Sequence, residues 1–364
     1  MRQRPVAYAA MVLALVAAAL VGLASPASAA TADRWGFAYV DDPTVPLWTN
    51  LDPTKQAGTW APGLQAQGGK IAPGRFLVKF PSIGLGARGN VHVTPVNRTG
   101  HYCEIVRWFG AGVDEIVDVQ CHRPGGLPED SRFTVLWTYS SGVLPPTDIG
   151  SYASVQYGTT GVVQFYNSTG NPVTVTPLGP PGQYLVRFAL VGAKDEYSGN
   201  LQVTAVQPNA QARRCKVAKW GPVGYDVLAY VFCYGANGLG INSEFTASYH
   251  RERSVVASFG PPKYVGYVWS AGAGQTNFNY PSGGFGFNSI GAIAPAGRYL
   301  VKYPNMALNE DHSQVTAYGN GNNYCHLTQP WQTFWPDIQV DVLCFDNFGN
   351  PMPHRFFNTF TNKD

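Results

Sequence analysis

A short block of alternating hydrophobic and polar positions occurs three times along the chain. Its copies are Gly74–Phe80, Gly182–Phe188 and Gly297–Tyr303, with the pattern Gly-x-[Phe/Tyr]-Leu-Val-[Lys/Arg]-[Phe/Tyr]. In the first copy Phe76, Val78 and Phe80 share one face and Leu77 and Lys79 the other, because neighbouring residues of a strand face opposite sides. Each block therefore predicts a strand with an aromatic inner face and a basic outer edge.

The cysteines show that the repeated unit is much longer than this block. Six cysteines form three pairs with internal gaps of 18, 18 and 19 positions, at Cys103 and Cys121, Cys215 and Cys233, and Cys325 and Cys344. Successive pairs recur at intervals of 112 and 110 positions, and residues such as Phe133, Phe245 and Phe356 keep the same phase. A period of this length indicates repeated domains. We place three, at residues 31–144, 145–253 and 254–364.

Turn residues and the lack of helical periodicity predict the fold class of each repeat. The chain has 41 Gly and 28 Pro, and their clusters interrupt it every 8 to 12 residues or so. Many short strands with such punctuation are typical of all-β sandwiches or barrels. We expect three tandem β-sandwich domains, jelly-roll or Ig-like, whose short junctions let neighbours touch.

The spacing of each cysteine pair predicts a disulfide across a hairpin. If Cys103 faces Cys121, the turn is centred on Gly112, and in the second repeat it is centred on Gly224; both are turn residues. We therefore expect the disulfides Cys103–Cys121, Cys215–Cys233 and Cys325–Cys344. By closing its loop, each disulfide stabilises the folded state by about 3 kcal/mol in the chain-entropy model.

The amino terminus predicts export. Arg2 and Arg4 precede an apolar run from Val6 to Ala24, and small residues follow up to Ala30, which is the arrangement of a cleaved secretory signal peptide. We assign residues 1–29 to it and expect a secreted, extracellular protein that is released from the membrane after cleavage. Disulfides persist in that environment.

Composition and charge exclude two classes of protein. With 45% hydrophobic, 13% aromatic and 13% charged residues, the chain has enough apolar surface to fold, so global disorder is excluded. Its net charge of +3 offers no concentrated basic field, so no nucleic-acid partner is expected.

A scan for catalytic chemistry assigns no catalytic residue, metal site or cofactor. The standard nucleophile, zinc and nucleotide motifs are missing, and the acidic pairs, such as Asp41-Asp42, are interpreted as solvated loop acids. The seven histidines share no phase of the repeat and are interpreted as surface residues. The recurring aspartates Asp114, Asp226 and Asp337 are expected to cap the hairpin turn beside them.

Aromatic residues give the main indication of function. Trp, Tyr and Phe number 9, 20 and 19, and flat aromatic faces interspersed with amides suit sugar rings. The binding candidates are Trp108, Trp220, Trp331 and Trp269. Core filling is the competing interpretation.

The outer face of the hairpin's return strand differs in the middle repeat. Its residues Leu228, Tyr230 and Phe232 are apolar, where the first and third repeats carry Asp118 and Asp341. We expect this strand to pack against a neighbouring domain or a partner.

The repeated block, the Val-Thr pair that follows it and the cysteine spacing resemble repeats in secreted actinobacterial proteins of uncharacterised activity. The resemblance covers the chain from residue 31 onwards and implies no catalytic residue. Residues Arg132–Leu136 are also similar to the final strand of small jelly-roll recognition modules, a likeness that the later repeats keep in part.

These observations predict a secreted, non-enzymatic protein that binds at the cell surface or outside the cell, with a polysaccharide or cell-wall polymer as the first ligand to test. The alternative is an extracellular hydrolase, directed at glycans or esters, whose site is assembled in tertiary structure. The divergent first repeat, with Asp41-Asp42 and the loop from Trp48 to Gly69, is where we would expect that site.

Overall fold

The polypeptide forms β-strands almost throughout, in a computed structural model that describes residues 33–140, 150–256 and 264–363. The predicted signal peptide and most of the first junction lie outside these residues. Two single turns of 3-10 helix, Pro53–Lys55 and Gly274–Thr276, interrupt the strands. The prediction of an all-β chain is confirmed.

Each repeat contributes eight to ten strands. The first repeat contains β1 (Arg34–Val40), β2 (Thr49–Asn50), β3 (Ala57–Gly58), β4 (Gln67–Ala72), β5 (Arg75–Phe80), β6 (Asn90–Val96), β7 (Tyr102–Ala111), β8 (Asp114–His122) and β9 (Arg132–Tyr139). The second contains β10 (Ser151–Gly158), β11 (Gly161–Asn167), β12 (Val173–Pro177), β13 (Gln183–Phe188), β14 (Asn200–Val206), β15 (Arg213–Val223), β16 (Asp226–Gly235) and β17 (Glu244–Arg251). The third contains β18 (Val265–Trp269), β19 (Asn277–Asn279), β20 (Gly284–Phe285), β21 (Ser289–Ile293), β22 (Arg298–Tyr303), β23 (Asp311–Tyr318), β24 (Tyr324–Leu327), β25 (Gln332–Phe334), β26 (Asp337–Phe345) and β27 (Arg355–Asn362).

Each repeat is a β-sandwich, as the sequence predicts. In the first, β3, β1, β9 and β6 form one layer and β7, β8, β5, β4 and β2 the other. The inward residues of both layers, among them Phe76, Val78, Val117 and Phe133, form one buried core. The second and third repeats have corresponding cores, so the aromatic inner face of the repeated block lies where the alternation places it.

The layers of neighbouring repeats continue into one another. Three nine-stranded sheets result, and each takes strands from two repeats. They are joined by parallel pairs of strands, β6 with β24, β14 with β7, and β15 with β23. Three equivalent backbone hydrogen bonds mark these joints: Asn97 N to Leu327 O at 2.9 Å, Gln207 N to Ile105 O at 2.8 Å, and Gly319 N to Val217 O at 2.9 Å.

These joints close a ring of three sandwiches around a pseudo-threefold axis, because each repeat is hydrogen-bonded to the next and the third to the first. Residues 33–364 accordingly form a single compact unit. The repeat boundary at 253/254 runs through buried residues, since Arg253 and Ser254 are both enclosed. The boundary at 144/145 lies outside the described residues, and the division into separate domains stays a prediction.

The three predicted disulfides are present, Cys103–Cys121, Cys215–Cys233 and Cys325–Cys344. Each joins directly opposed residues of a hairpin. The first two hairpins turn at Gly112-Val113 and Gly224-Tyr225, within one residue of the predicted centres. Both glycines have positive φ, 65° and 60°, which glycine adopts without steric cost.

A β-bulge follows the first cysteine in two hairpins and decides which way Trp108 and Trp220 face. Strict alternation would place Trp108 and Trp220 on the face opposite their cysteines. Instead the register shifts between Ile105 and Arg107, and between Val217 and Lys219. One extra residue reverses the facing of everything beyond it, so both tryptophans point into the cores with the disulfides.

Polar side chains fill the axis where β6, β14 and β23 meet. The Thr94, Thr204 and Thr316 hydroxyls each receive the backbone N–H of a neighbouring repeat, from Val315 at 3.0 Å, Val93 at 3.3 Å and Val203 at 3.0 Å. Each hydroxyl also contacts the side chain of the residue just before that Val. Thr94 contacts Gln314, Thr204 contacts His92 and Thr316 contacts Gln202. All these side chains are buried. The axial network therefore links each repeat to the next through equivalent contacts.

The interpretation of the histidines as surface residues is wrong. His92, His122, His250, His312 and His326 are at most 2% exposed. Burial lowers the pKa of His92, His250, His312 and His326 to about 3, because the charged imidazolium would lose its hydration. These rings are therefore neutral parts of the interior.

Buried neutral histidines predict instability in acid. Protons bind the unfolded chain near pH 6.5 but the folded chain only near pH 3, so stability falls as the pH drops through this window. For His92 alone the loss reaches about 3 kcal/mol at pH 4. Thermal melts between pH 7 and pH 4 should show a steep fall in Tm.

The repeat supplies a matched variant for this prediction, because Gln202 and Gln314 occupy the positions equivalent to His92. We expect His92→Gln to melt close to the parent protein at pH 7 and above it at pH 4. An equal pH dependence of both proteins would contradict a role for His92 in acid unfolding.

Candidate functional site

Three of the four candidate tryptophans belong to the cores. Trp108, Trp220 and Trp331 are 4%, 2% and 3% exposed and pack in the first, second and third sandwich. Trp108 donates to the Arg88 carbonyl at 3.0 Å, and Trp331 donates to the Asp311 carboxylate. The bulges turn Trp108 and Trp220 inward, and Trp331 is buried as well. None of the three offers an open face for stacking, so they fill the cores, as the competing interpretation has it.

Trp269 is different, because it is half-buried at the border of the second and third repeats. Its ring stacks on Tyr197 with centroids 5.6 Å apart and meets Tyr318 edge-on at 5.1 Å. Tyr197 is 46% exposed. This aromatic cluster leads directly to an open groove.

The groove lies at one end of the third sandwich, between its two layers. It encloses about 610 Å³ and is lined by Ser270, Ile290, Ala292, Tyr299, Tyr318, Gly319, Asn320, Pro353, His354 and Arg355. Strands β21 and β22 supply one wall. The ends of β18 and β23 and the start of β27 supply the other.

A single small residue explains much of this opening. Val40, Tyr157 and Ser270 are equivalent, since they stand opposite Phe133, Phe245 and Phe356 in the three repeats. Val40 and Tyr157 are buried and close their sandwiches. Ser270 fills far less volume, and its hydroxyl accepts the Phe356 N–H at 2.8 Å.

The two tyrosines of the groove also differ from their equivalents in the other repeats. Tyr299 corresponds in the repeated block to Phe76 and Tyr184, which are 0% and 3% exposed, whereas Tyr299 is half-buried. Tyr318 stands where the other repeats have the buried Val96 and Val206. The third repeat therefore presents two aromatic rings at a position where the others are closed.

The polar groups of the groove are varied. Asn320 and Arg355 are exposed, and His354 is half-buried. Burial, with the nearby Lys216 and Arg355, lowers the pKa of His354 to about 3. Its neutral Nε2 lies 2.8 Å from Lys216 Nζ and accepts a hydrogen bond from it. The groove thus combines ring faces with an amide, hydroxyls and a guanidinium.

The region expected for the alternative hydrolase is arranged differently. Asp41 and Asp42 are exposed, and Asp42 accepts the Thr44 backbone N–H at 2.8 Å and its hydroxyl at 2.7 Å. The neighbouring loop encloses a pocket of about 420 Å³ whose walls include Trp60 and Glu310. Neither Asp41 nor Asp42 lines it.

Among the described residues, the carboxyl groups with the most strongly raised pKa values are Glu115 and Asp311, and neither lines the groove. Burial raises the pKa of Glu115 to about 8, and burial raises that of Asp311 to about 6 against the effect of Lys55. Asp311 is paired with Lys55 at 3.2 Å, while Glu115 accepts the Leu85 N–H at 2.9 Å. Both therefore have structural partners.

The recurring aspartates cap turns, but not the turns expected. Asp114, Asp226 and Asp337 accept backbone N–H groups at 2.8, 2.9 and 3.1 Å from Ser82, Leu190 and Asn305. These three donors follow β5, β13 and β22 and have positive φ near 55°. The carboxylates hold this strained turn of the adjacent strand.

The outer face of β16 in the middle repeat carries the apolar residues noted in the sequence. Leu228, Tyr230 and Phe232 are half-buried on β16, and Lys219 Nζ lies 5.7 Å from the centre of the Tyr230 ring. Packing of this face against a neighbouring domain or a partner stays a prediction.

Searches for other site types and for similar proteins gave negative results. Within residues 33–140, 150–256 and 264–363, no group of three or more His, Cys, Asp or Glu side chains could hold a metal ion. The same residues contain no helix long and apolar enough to cross a membrane. Comparison with protein-family models, curated proteins and solved structures found no match.

Chemical modification can test the opened end of the third sandwich. Tetranitromethane should nitrate Tyr299 and Tyr318 in the native protein, because both are partly exposed, and spare Tyr184 and Tyr303, which are 3% and 0% exposed. Ser270→Tyr, which copies the second repeat, should protect Tyr299. Peptide mapping by mass spectrometry measures each site, and equal labelling of Tyr184 and Tyr299 would contradict the groove.

Proposed function

We propose that this chain is a secreted, extracellular binding protein whose third repeat takes saccharide units of a polysaccharide or cell-wall polymer in the groove beside Ser270. The observation that carries the proposal is the opening of one sandwich end that its two equivalents keep closed. Core packing alone would favour Val or Tyr at this position, as in the other repeats.

The lining of the groove suits a neutral, hydroxylated ligand. Sugar rings present flat C–H faces that stack on aromatic rings, and hydroxyls that pair with amides and hydroxyl groups. Tyr299 and Tyr318 offer the rings, while Asn320, Ser270 and Arg355 offer the polar atoms. The volume of about 610 Å³ lies within the roughly 300–1,000 Å³ of small-ligand sites.

The three disulfides support the proposed location. Such bonds persist in oxidising compartments and are rare in the cytosol, and all six cysteines are paired. The amino-terminal sequence adds an export signal. An extracellular polymer is thus a ligand that the protein would meet.

Pulldown on insoluble polysaccharides and isolated cell walls tests the proposal, followed by calorimetric titration with soluble fragments of any polymer that binds. We expect the parent protein to sediment with at least one polymer. Ser270→Tyr should fill the groove, and Tyr318→Val should remove one ring while copying repeats one and two. Each should weaken binding at least tenfold, which is about 1.4 kcal/mol.

Trp335→Ala is the matched control, because Trp335 is 79% exposed in the same repeat but lies outside the groove. Its binding should equal that of the parent. Loss of binding in Trp335→Ala with retention in Ser270→Tyr would overturn the groove as the site. Turnover of a glycan or ester panel without retention on any polymer would favour the hydrolase.

A further inference from the structure

A smaller cavity lies on the pseudo-threefold axis, apart from the two pockets described above. It encloses about 60 Å³ and is lined by equivalent residues of all three repeats, including Val93, Val203 and Val315, and Cys103, Cys215 and Cys325. A cavity needs about 10–15 Å³ on this measure to hold one water. The space is therefore large enough for a small polyatomic ion.

The residue before the first cysteine of each pair breaks the symmetry of this cavity. It is Tyr102 in the first repeat, Arg214 in the second and Tyr324 in the third, and all three line the cavity. The Arg214 guanidinium lies between the two rings, 4.6 Å from the centre of Tyr102 and 4.4 Å from that of Tyr324. The rings hold the cation in place but supply no negative charge.

Lys216 brings a second buried cation to the same cavity. It is 3% exposed, and Arg214 is 8% exposed. The hydrogen-bond partner found for Lys216 Nζ is the neutral His354 ring. Burial, followed by repulsion from Arg214, lowers the pKa of Lys216 to about 7, as expected for an amine whose charge is not balanced nearby.

Several polar groups at the cavity are unsatisfied, and all of them can donate hydrogen bonds. Nε and Nη1 of Arg214 and the hydroxyl of Tyr102 are buried without a hydrogen-bond partner. Nη2 of Arg214 donates to the Asn347 side-chain oxygen. Such groups are rare in folded proteins, because each buried unpaired donor costs about 1–3 kcal/mol.

Glu104, an acidic residue near Arg214 and Lys216, already has hydrogen-bond partners of its own. Glu104, the equivalent of Lys216, is fully buried and accepts the Ala212 and Arg213 N–H groups and contacts His122. It is also not among the residues that line the cavity. No carboxylate is among the described residues that line the cavity, so we look for the acceptor in a bound ligand.

We propose that the axial cavity is a binding site for one small oxyanion of phosphate, sulfate or carboxylate type, held by Arg214, Lys216 and the Tyr102 hydroxyl. A planar guanidinium pairs two oxygens of such an anion, and an ammonium supplies a further charge-assisted hydrogen bond. The anion would balance the charge of Arg214 and favour the protonated form of Lys216. This site shares no lining residue with the groove, although Lys216 contacts the groove residue His354, and the proposal does not rest on the saccharide proposed there.

Thermal melts and calorimetric titrations of the full secreted chain test this site. Phosphate, sulfate, acetate and chloride are compared at pH 7 and constant ionic strength. We expect at least one of the three oxyanions to raise Tm saturably and to bind with 1:1 stoichiometry, and chloride to have a smaller effect. Absence of saturable stabilisation by all three oxyanions would overturn the site.

Lys216→Met removes one cation and keeps much of the side-chain volume. It should raise Tm in anion-free buffer, because an uncompensated buried charge disappears, and weaken oxyanion binding at least tenfold. Lys219→Met is the control, since Lys219 lies three residues along the same strand and is exposed. It should bind the anion as the parent does.

Further outcomes separate this site from general salt effects and from the groove. Equal binding by Lys216→Met and the parent would overturn the site, as would an equal loss in Lys219→Met. If Lys216→Met fails to fold, Tyr102→Phe removes the proposed hydroxyl donor and should weaken binding about threefold to tenfold; unchanged affinity would overturn its role. Ser270→Tyr, which fills the groove, should leave oxyanion affinity unchanged.

Discussion

The closed ring of three sandwiches depends on threonine hydroxyls at its axis. Thr94, Thr204 and Thr316 each accept a backbone N–H from a different repeat, so one buried N–H of each central strand is bonded to a neighbouring repeat. A buried N–H without an acceptor costs about 1–3 kcal/mol, and the three contacts form a cycle in which each repeat supplies what another lacks. The parallel pairing at the sheet joints then extends this cycle into the nine-stranded sheets.

A pseudo-symmetric frame makes departures from symmetry informative. Ser270 stands where its equivalents are Val40 and Tyr157, and a sandwich end opens there. Arg214 stands where its equivalents are tyrosines, and a buried cation lies on the axis. Neither substitution improves packing, since one leaves a groove and the other leaves unpaired donors. We propose a ligand for each position, and the two proposed sites use different chemistry in different parts of the molecule.

The sequence predicts what local spacing controls. Cysteine phase predicts the three repeats, the disulfides and the hairpin turns within one residue, because opposed positions in a hairpin depend on the turn between them. Alternation in the repeated block predicts the core face of β5, β13 and β22. The Ser270 position could also have been found, by aligning the strand that pairs with Phe133, Phe245 and Phe356.

Sequence reasoning fails where tertiary contacts decide. A single-residue bulge in each of two hairpins buries Trp108 and Trp220, and the residue types around the bulges do not predict the register shift. His92 lies on a polar-looking strand face that becomes interior only because two other repeats cover it. Sequence patterns also do not show that sheets are shared between repeats. Val96, Val206 and Tyr318 pair with strands of another repeat, more than a hundred residues away.

The central claim is that the three repeats form one cooperative structure through the axial network. Native-state hydrogen exchange measures this directly at the amides of Val93, Val203 and Val315, which donate to the threonine hydroxyls. The account predicts that all three amides exchange with the same free energy, equal to that of global unfolding. Exchange of one of them through a lower-energy opening confined to its own repeat would contradict it.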